Sequence, residues 1–178
     1  MQRILALSKI INFADNYSNY AFQIFILLNF TFGLIGPMLS FYSLKKDMSI
    51  EYKTASIYSL ITFLADFFSI LIVSWIFFKI TRFKNYKFWL LLYSLVYTVV
   101  WIFDIFDISQ YLRFLSILGL IMSSLLLFLI IKRKFDIKIR LVLLIIHILF
   151  YFLDAVLSEM IATNPILIKV VEFIQTYH

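Results

Sequence analysis

Five long apolar runs fill most of this chain, and short polar or charged segments separate them. A helix of about 20 apolar residues matches the hydrocarbon thickness of a bilayer and satisfies its own backbone hydrogen bonds there. The runs therefore predict an all-α, polytopic membrane protein, a bundle of five transmembrane helices. The expected spans are residues 22–42, 56–78, 88–106, 114–131 and 141–161. Together they form one domain over 21–162, with short interfacial segments at 1–20 and 163–178.

The composition restricts both the environment in which the chain can fold and the chemistry it can perform. A mean hydropathy of +0.98, with 63% hydrophobic and 15% charged residues, lies outside the range of soluble domains. The chain has no cysteine and only two histidines, so we expect no thiolate chemistry, no metal site and no haem. Motifs of serine hydrolases, zinc proteases and phosphate-binding loops do not occur either. We therefore expect a non-enzyme with no catalytic residues and no cofactor.

The basic residues predict an orientation, because short loops rich in Lys and Arg stay in the cytoplasm. With a cytoplasmic N-terminus, the inner side holds Arg3, Lys9, Lys79, Arg82, Lys84, Lys87, Lys132, Arg133, Lys134, Lys138 and Arg140. The outer side then holds only Lys45, Lys46, Lys53, Arg113 and Lys169. We expect the C-terminus outside, with Trp75 and Trp89 forming an interfacial belt around the 79–87 loop. Contacts with anionic lipid headgroups then account for the net charge of +6. Nucleic-acid binding is not indicated, because no aromatic stacking platform accompanies the basic loops.

Both ends of the chain have patterns typical of interfacial helices. Residues 2–14 form a weakly amphipathic pattern whose apolar face holds Ile4, Leu7, Ile11 and Ala14. A cleaved signal peptide is the alternative, although Lys9 interrupts its apolar core. Near the other end, Asn164 and Pro165 predict the start of a short helix on the outer surface. That helix is alternatively a docking surface for a partner.

Each expected span carries one stripe of polar or small residues at helical spacing. Charged groups inside a bilayer are costly, so such stripes are expected to face the bundle interior while Phe, Ile and Leu face lipid. The stripes are Asn29, Gly33, Gly36 and Ser40; Tyr58, Thr62, Asp66 and Ser69; Tyr93, Tyr97, Trp101 and Asp104; Ser116, Gly119 and Ser123; and His147, Tyr151, Asp154 and Ser158.

Six of these residues form the candidate site predicted from the sequence. We expect either a buried polar cluster or a path for ions or protons. They are Asp66, Tyr97, Asp104, His147, Tyr151 and Asp154. Counted along the spans, Asp66 and His147 lie near mid-depth, so we expect them to approach each other, with the remaining acids nearer the outer end. Three interpretations stay open: hydrogen bonds between helices worth about 0.6 kcal/mol each, a proton relay or cation site, or an acid exposed to water at the end of a span.

Gly36 and Pro37 predict a kink in the first span. Proline has no N–H and clashes with the carbonyl four residues earlier, here that of Gly33. Broken helices of this kind form binding sites in some transporters. A kink that serves only the packing of helices is the alternative.

The arrangement of spans resembles the Yip-domain family, the Ypt/Rab-interacting membrane proteins and their prokaryotic relatives. The segment from Phe88 to Tyr97 is similar to the start of the family's third span, a Phe followed nine residues later by Tyr. Residues 115–131 and the basic segment that follows them are similar to the fourth span and its loop. Trp101 stands where the family commonly has proline. The resemblance implies a membrane-organising or trafficking-related scaffold that binds other proteins.

Two hypotheses about function follow from the sequence. The first is a non-enzymatic integral membrane protein of Yip-like type that acts through protein and lipid contacts. The second is a small oligomeric transporter or channel, proton-coupled, that uses the buried acids and His147. In both, the expected partners are membrane lipids and either copies of the chain or other membrane proteins.

Overall fold

The structure, a computed structural model, describes residues 2–35, 38, 52–104, 114–132, 134–162 and 169. Every regular element within these residues is helical, which confirms the all-α prediction. The elements are α1 (Gln2–Asn16), a 3-10 turn (Ser18–Tyr20), α2 (Ala21–Leu28), a π-helical turn (Asn29–Gly33), α3 (Tyr52–Thr81), α4 (Tyr86–Asp104), α5 (Phe114–Ile131) and α6 (Ile137–Ala162). The predicted kink at Gly36 and Pro37 lies outside the described residues, as does the predicted C-terminal helix apart from Lys169.

Two helices of the described chain are long and apolar enough to cross a membrane. These segments are Phe63–Thr81 within α3 and Tyr86–Phe103 within α4. A shorter apolar helical segment covers Ile117–Ile131 in α5. The helices follow the apolar runs of the sequence, and α5 begins and ends at the residues expected for the fourth span.

Helix α4 is the centre of the bundle. It packs against α1, α2, α3 and α5, and 61% of its spanning segment is buried, against 28% for that of α3. All seven residues from Phe88 to Ser94 are buried, so the helix is enclosed on every side in this part. A helix that is apolar all round belongs in the interior, and α4 meets this condition over its first half.

The outer faces of the other long helices carry large apolar side chains at helical spacing. On α6 the exposed residues recur every three or four positions, as Leu141, Ile145, Leu149, Phe152 and Val156. On α5 the same pattern gives Ile117, Ile121, Leu125 and Leu129. Soluble monomers rarely expose continuous apolar faces of this extent, and such faces mark contact with lipid or with other proteins.

One end of the bundle collects the basic loops together with α1. Helices α3 and α5 end there, and α4 and α6 begin there after short connections at 82–85 and 132–136. Asn85 and Asp136 cap the two new helices, since Asn85 Oδ1 accepts from the N–H of Phe88 at 2.8 Å and Asp136 Oδ1 accepts from that of Ile139 at 2.9 Å. We call this the basic end.

Helix α1 lies across the basic end with the amphipathic orientation that its sequence predicts. Ala14 is buried and Ile11 packs against the core, while Lys9 is exposed. Asp15 extends to the neighbouring loop, where its Oδ2 lies 2.9 Å from Lys84 Nζ. The N-terminal segment therefore belongs to the same side of the molecule as both basic loops.

Of the two residues predicted to form an aromatic belt at this end, Trp75 and Trp89, the prediction is wrong for Trp89. Trp75 is 53% exposed on the outer face of α3, as a belt residue should be. Trp89 is only 1% exposed, and its Nε1–H donates to the carbonyl of Phe83 at 2.8 Å. Because α4 is central, a tryptophan near its start packs beneath the loop instead of facing the interface.

Candidate functional site

Three aromatic residues on α4 form a column through the bundle interior. Tyr93, Tyr97 and Trp101 are spaced four residues apart, so they share one face of the helix. Their rings are in contact, with centroids 5.9 Å apart for the first pair and 5.3 Å for the second. None is more than 3% exposed. The column therefore presents two tyrosine hydroxyl groups and one indole N–H to the neighbouring helices at successive turns.

Asp66 of α3 accepts hydrogen bonds from two residues of this column, Tyr97 and Trp101. The hydroxyl of Tyr97 donates to Asp66 Oδ1 at 3.3 Å, and Trp101 Nε1–H donates to Oδ2 at 2.8 Å. Asp66 is 8% exposed, and each of its carboxyl oxygens has its own donor. Hydrogen bonds to a carboxylate are stronger than those between neutral groups, so this contact fixes α3 against α4.

Asp154 of α6 belongs to the same cluster, so a third helix takes part in it. It accepts from the hydroxyl of Ser69 at 3.3 Å, and its carboxyl group lies against that of Asp66. Asp66 and Asp154 therefore form a carboxyl pair between α3 and α6.

His147, also on α6, occupies a second cluster next to the carboxyl pair. It is fully buried, with Nδ1 2.9 Å from the hydroxyl of Tyr93 and Nε2 3.0 Å from Oγ of Ser123. The Ser123 hydroxyl donates to the carbonyl of Leu120 at 3.0 Å, so it accepts from the histidine. We therefore assign a neutral imidazole that carries its proton on Nε2 and accepts from Tyr93 at Nδ1.

Asp66 and His147, which the sequence predicts to approach each other, belong to two neighbouring clusters, each organised by a different residue of α4. Tyr93 binds the histidine and Tyr97 binds Asp66, and the two tyrosines are one helical turn, roughly 6 Å, apart along the axis. His147 and Asp154 lie seven residues apart on one face of α6, roughly 10.5 Å along its axis. The clusters remain in contact through the two tyrosine rings.

Two further residues belong to the sequence-derived site. Tyr151 is half-buried and packs against the core. Asp104 is the last residue of α4, and its side chain lies outside the described residues. The structure adds four residues that were not selected for the site. They are Ser69, Tyr93, Trp101 and Ser123, all of them members of the polar stripes.

Asn29 is buried near these clusters without a hydrogen-bond partner among the described residues. It begins the π-helical turn, it is 0% exposed, and both Oδ1 and Nδ2 are unpaired there. A Cβ added to Gly33 would lie 2.8 Å from Asn29 Oδ1 and 3.1 Å from Cε2 of Trp101. Glycine therefore lets the amide and the indole pack closely at this point.

Replacing this amide with a hydrocarbon of similar size should stabilise the protein. We expect Asn29→Leu to raise the free energy of unfolding by about 1 kcal/mol, because the substitution removes the cost of burying an unpaired amide. Thermal unfolding in detergent micelles measures the change, with Asn16→Leu, at an exposed position of α1, as the control. A lower melting temperature for Asn29→Leu would show that the amide makes a stabilising bond.

The hydroxyl of Tyr93 should contribute to stability through His147. In Tyr93→Phe the ring still fills its site, but Nδ1 of the buried imidazole loses its donor. We expect the free energy of unfolding to fall by about 1–2 kcal/mol. The same change at Tyr20, which is 59% exposed, is the matched control and should have no effect. Equal stability of the two variants would contradict the hydrogen bond.

A cavity at the basic end, between Ile11, Phe83 and Phe135, has a volume of about 10 Å³, which is room for about one water molecule. Among the described residues, no three His, Cys, Asp or Glu side chains are grouped as metal ligands would be.

Comparisons with known protein families, with characterised proteins and with solved structures find no match for this chain. The resemblance to the Yip-domain family remains an expectation from the sequence.

Proposed function

We propose that the chain is an integral membrane protein that crosses the bilayer five times, with its N-terminus and basic end in the cytoplasm and its C-terminus outside. Two observations support this proposal. The exposed faces of α5 and α6 are continuous bands of large apolar residues. Helix α1 and both described basic loops lie at the same end of the bundle, which agrees with the charge asymmetry of the sequence.

Fusions with a reporter that is active on only one side of the membrane test this topology. A reporter placed after His178 should report the outside, and one inserted in the 82–85 loop should report the cytoplasm. The same side for both would refute the odd number of spans. Extraction with alkaline carbonate is the companion measurement, because an integral protein stays in the pellet.

Within the membrane we propose a non-enzymatic scaffold of Yip-like type that works through contacts of its outer surface. The observation that carries this proposal is how the interior polar groups are used. Asp66 is bonded to α4, Asp154 to α3, and His147 to both α4 and α5. Such bonds join helices to one another, so lipids, further copies of the chain or other membrane proteins would be bound on the outer faces.

Stability and transport measurements on the same variants test the scaffold. We expect Asp66→Asn and His147→Gln to lower the melting temperature in detergent, since each leaves buried partners unpaired. Neither the native protein nor the variants should carry protons across liposome membranes. Chemical crosslinking in native membranes should trap a complex with a second copy or another membrane protein. A chain that stays uncrosslinked and monomeric would refute the scaffold.

Proton-coupled transport is the second candidate, and the carboxyl pair of Asp66 and Asp154 favours it. Ionisable groups inside a membrane bundle occur in proton relays and ion pathways. Two carboxyl groups in contact would take up or release a proton as the two helices move.

A flux assay in liposomes from pH 5 to 8 separates the two candidates. If the pair carries protons, Asp66→Asn and Asp154→Asn should each abolish a flux that the native protein shows. Asp15→Asn, a carboxyl at the basic end, is the control and should retain the flux. Absence of flux from folded native protein would leave only the scaffold.

A further inference from the structure

The basic end carries far more positive than negative charge. Nine basic side chains are described there: Lys9, Lys79, Arg82, Lys84, Lys87, Lys132, Lys134, Lys138 and Arg140. The described acidic residues of this end are Asp15 and Asp136. Lys84 and Asp15 form the one ion pair found within the described part of the chain. Most of this charge therefore has no partner within the described protein.

Two of the lysines converge on one phenyl ring from different loops. Lys84 Nζ lies 5.8 Å from the centroid of Phe83, and Lys134 Nζ lies 5.7 Å from it. Phe83 is held in place by Phe88 and Phe135, whose ring centroids are 5.9 Å and 5.4 Å away. The ring attracts both ammonium groups, so two loops place a positive charge against the same side chain. An anion bound beside this ring would be attracted by both charges.

The surroundings of this pair combine cations with apolar surface. Lys79 lies over the exposed ring of Trp75 at 5.4 Å, and Arg140 lies over the half-buried ring of Phe128 at 5.1 Å. Ile137, three residues after Lys134 at the start of α6, is 48% exposed. A soluble anion would gain nothing from these apolar groups, whereas a phospholipid would place its phosphate on the lysines and its chains on the rings and α6.

We infer that Lys84 and Lys134 bind the phosphate of an anionic phospholipid from the adjacent leaflet, a headgroup site centred on Phe83. The inference rests on the proposed membrane location. Asp15 regulates the site, because its carboxylate competes with the phosphate for Lys84. The site ties the loops at 82–85 and 132–136 and helix α1 to the membrane surface.

Native mass spectrometry of the purified full chain, titrated with phosphatidylglycerol and with phosphatidylcholine, tests the site. We expect the anionic lipid to bind at least tenfold more tightly. The Lys84→Gln and Lys134→Gln double variant should lose about thirtyfold in affinity for it, given the contribution of each basic residue near a charged headgroup. The matched control is Lys45→Gln with Lys46→Gln, in the loop proposed to lie outside, and it should bind as the native protein does. Asp15→Asn should bind more tightly than the native protein.

Each contrary result has a distinct meaning. Equal affinity for the two lipids, or full affinity in the Lys84 and Lys134 variant, would overturn the headgroup site. An equal loss in the control pair would also overturn it, since binding would then follow total charge. A chain that alkaline carbonate releases from membranes would refute the membrane location itself, which separates that failure from failure of the site.

Discussion

Trp101→Ala is expected to lower the free energy of unfolding by about 3–5 kcal/mol, the range for removing a large aromatic side chain from a packed interior. The indole is 1% exposed, fills the space beside Gly33, and donates to Asp66 Oδ2 at 2.8 Å. The change therefore opens a cavity and removes one of the two described donors to a buried carboxylate. Thermal or denaturant unfolding in detergent micelles measures the loss.

Trp75→Ala is the matched control, since it removes the same side chain from the outer face of α3, where Trp75 is 53% exposed. We expect a change within about 0.5 kcal/mol. Trp101→Phe separates the two contributions at the buried position, because it keeps most of the volume and removes the donor. A Trp101→Ala protein as stable as Trp75→Ala would contradict the central position of α4.

Gly119→Leu is expected to lower the free energy of unfolding by about 3 kcal/mol through overpacking. A Cβ at this position would lie 2.8 Å from Cβ of Phe103 and 3.4 Å from Cα of Val100. Neither atom is the end of a flexible side chain, so α4 and α5 would have to move apart. The better helix propensity of leucine, worth under about 1 kcal/mol, is too small to compensate.

Two further variants check that close packing is the cause. Gly119→Ala adds only the Cβ and should lie between the native protein and Gly119→Leu. Met122→Leu changes an exposed residue of the same helix and should leave the melting temperature unchanged. If Gly119→Leu unfolds at the native temperature, the close approach of α4 to α5 is wrong.

The helices and the direction of their faces could be predicted because both depend on local pattern. Apolar runs of spanning length gave the helix positions, including both ends of α5. Residues at helical spacing gave the inward faces, so Asn29, Asp66, Ser123 and His147 are all buried as their stripes predict. Periodicity identifies which side of a helix is polar without any knowledge of its neighbours.

The partners within the site could not be predicted, because they depend on how the helices are arranged around α4. One chain of apolar runs fits many arrangements, and the pairing of Asp66 with Trp101 or of His147 with Ser123 requires one of them. The burial of Trp89 was missed for the same reason. A tryptophan beside a basic loop is typical of an interfacial belt, unless its helix is central.

The π-helical turn at Asn29–Gly33 also has no clear signal in the sequence. A π turn adds one residue to a helical turn and is common at functional positions.

The hydrogen bonds of Asp66 also define an order of assembly during synthesis. Its donors Tyr97 and Trp101 follow 31 and 35 residues later, whereas the contact of Ser69 with Asp154 spans 85 residues. At 5–20 residues per second, α6 emerges roughly 4–17 s after α3. In the proposed membrane location, the hairpin of α3 and α4 would shelter Asp66 from lipid throughout that interval. Asp154 would then meet a partner already in place, so α6 would be the helix whose insertion depends on those before it.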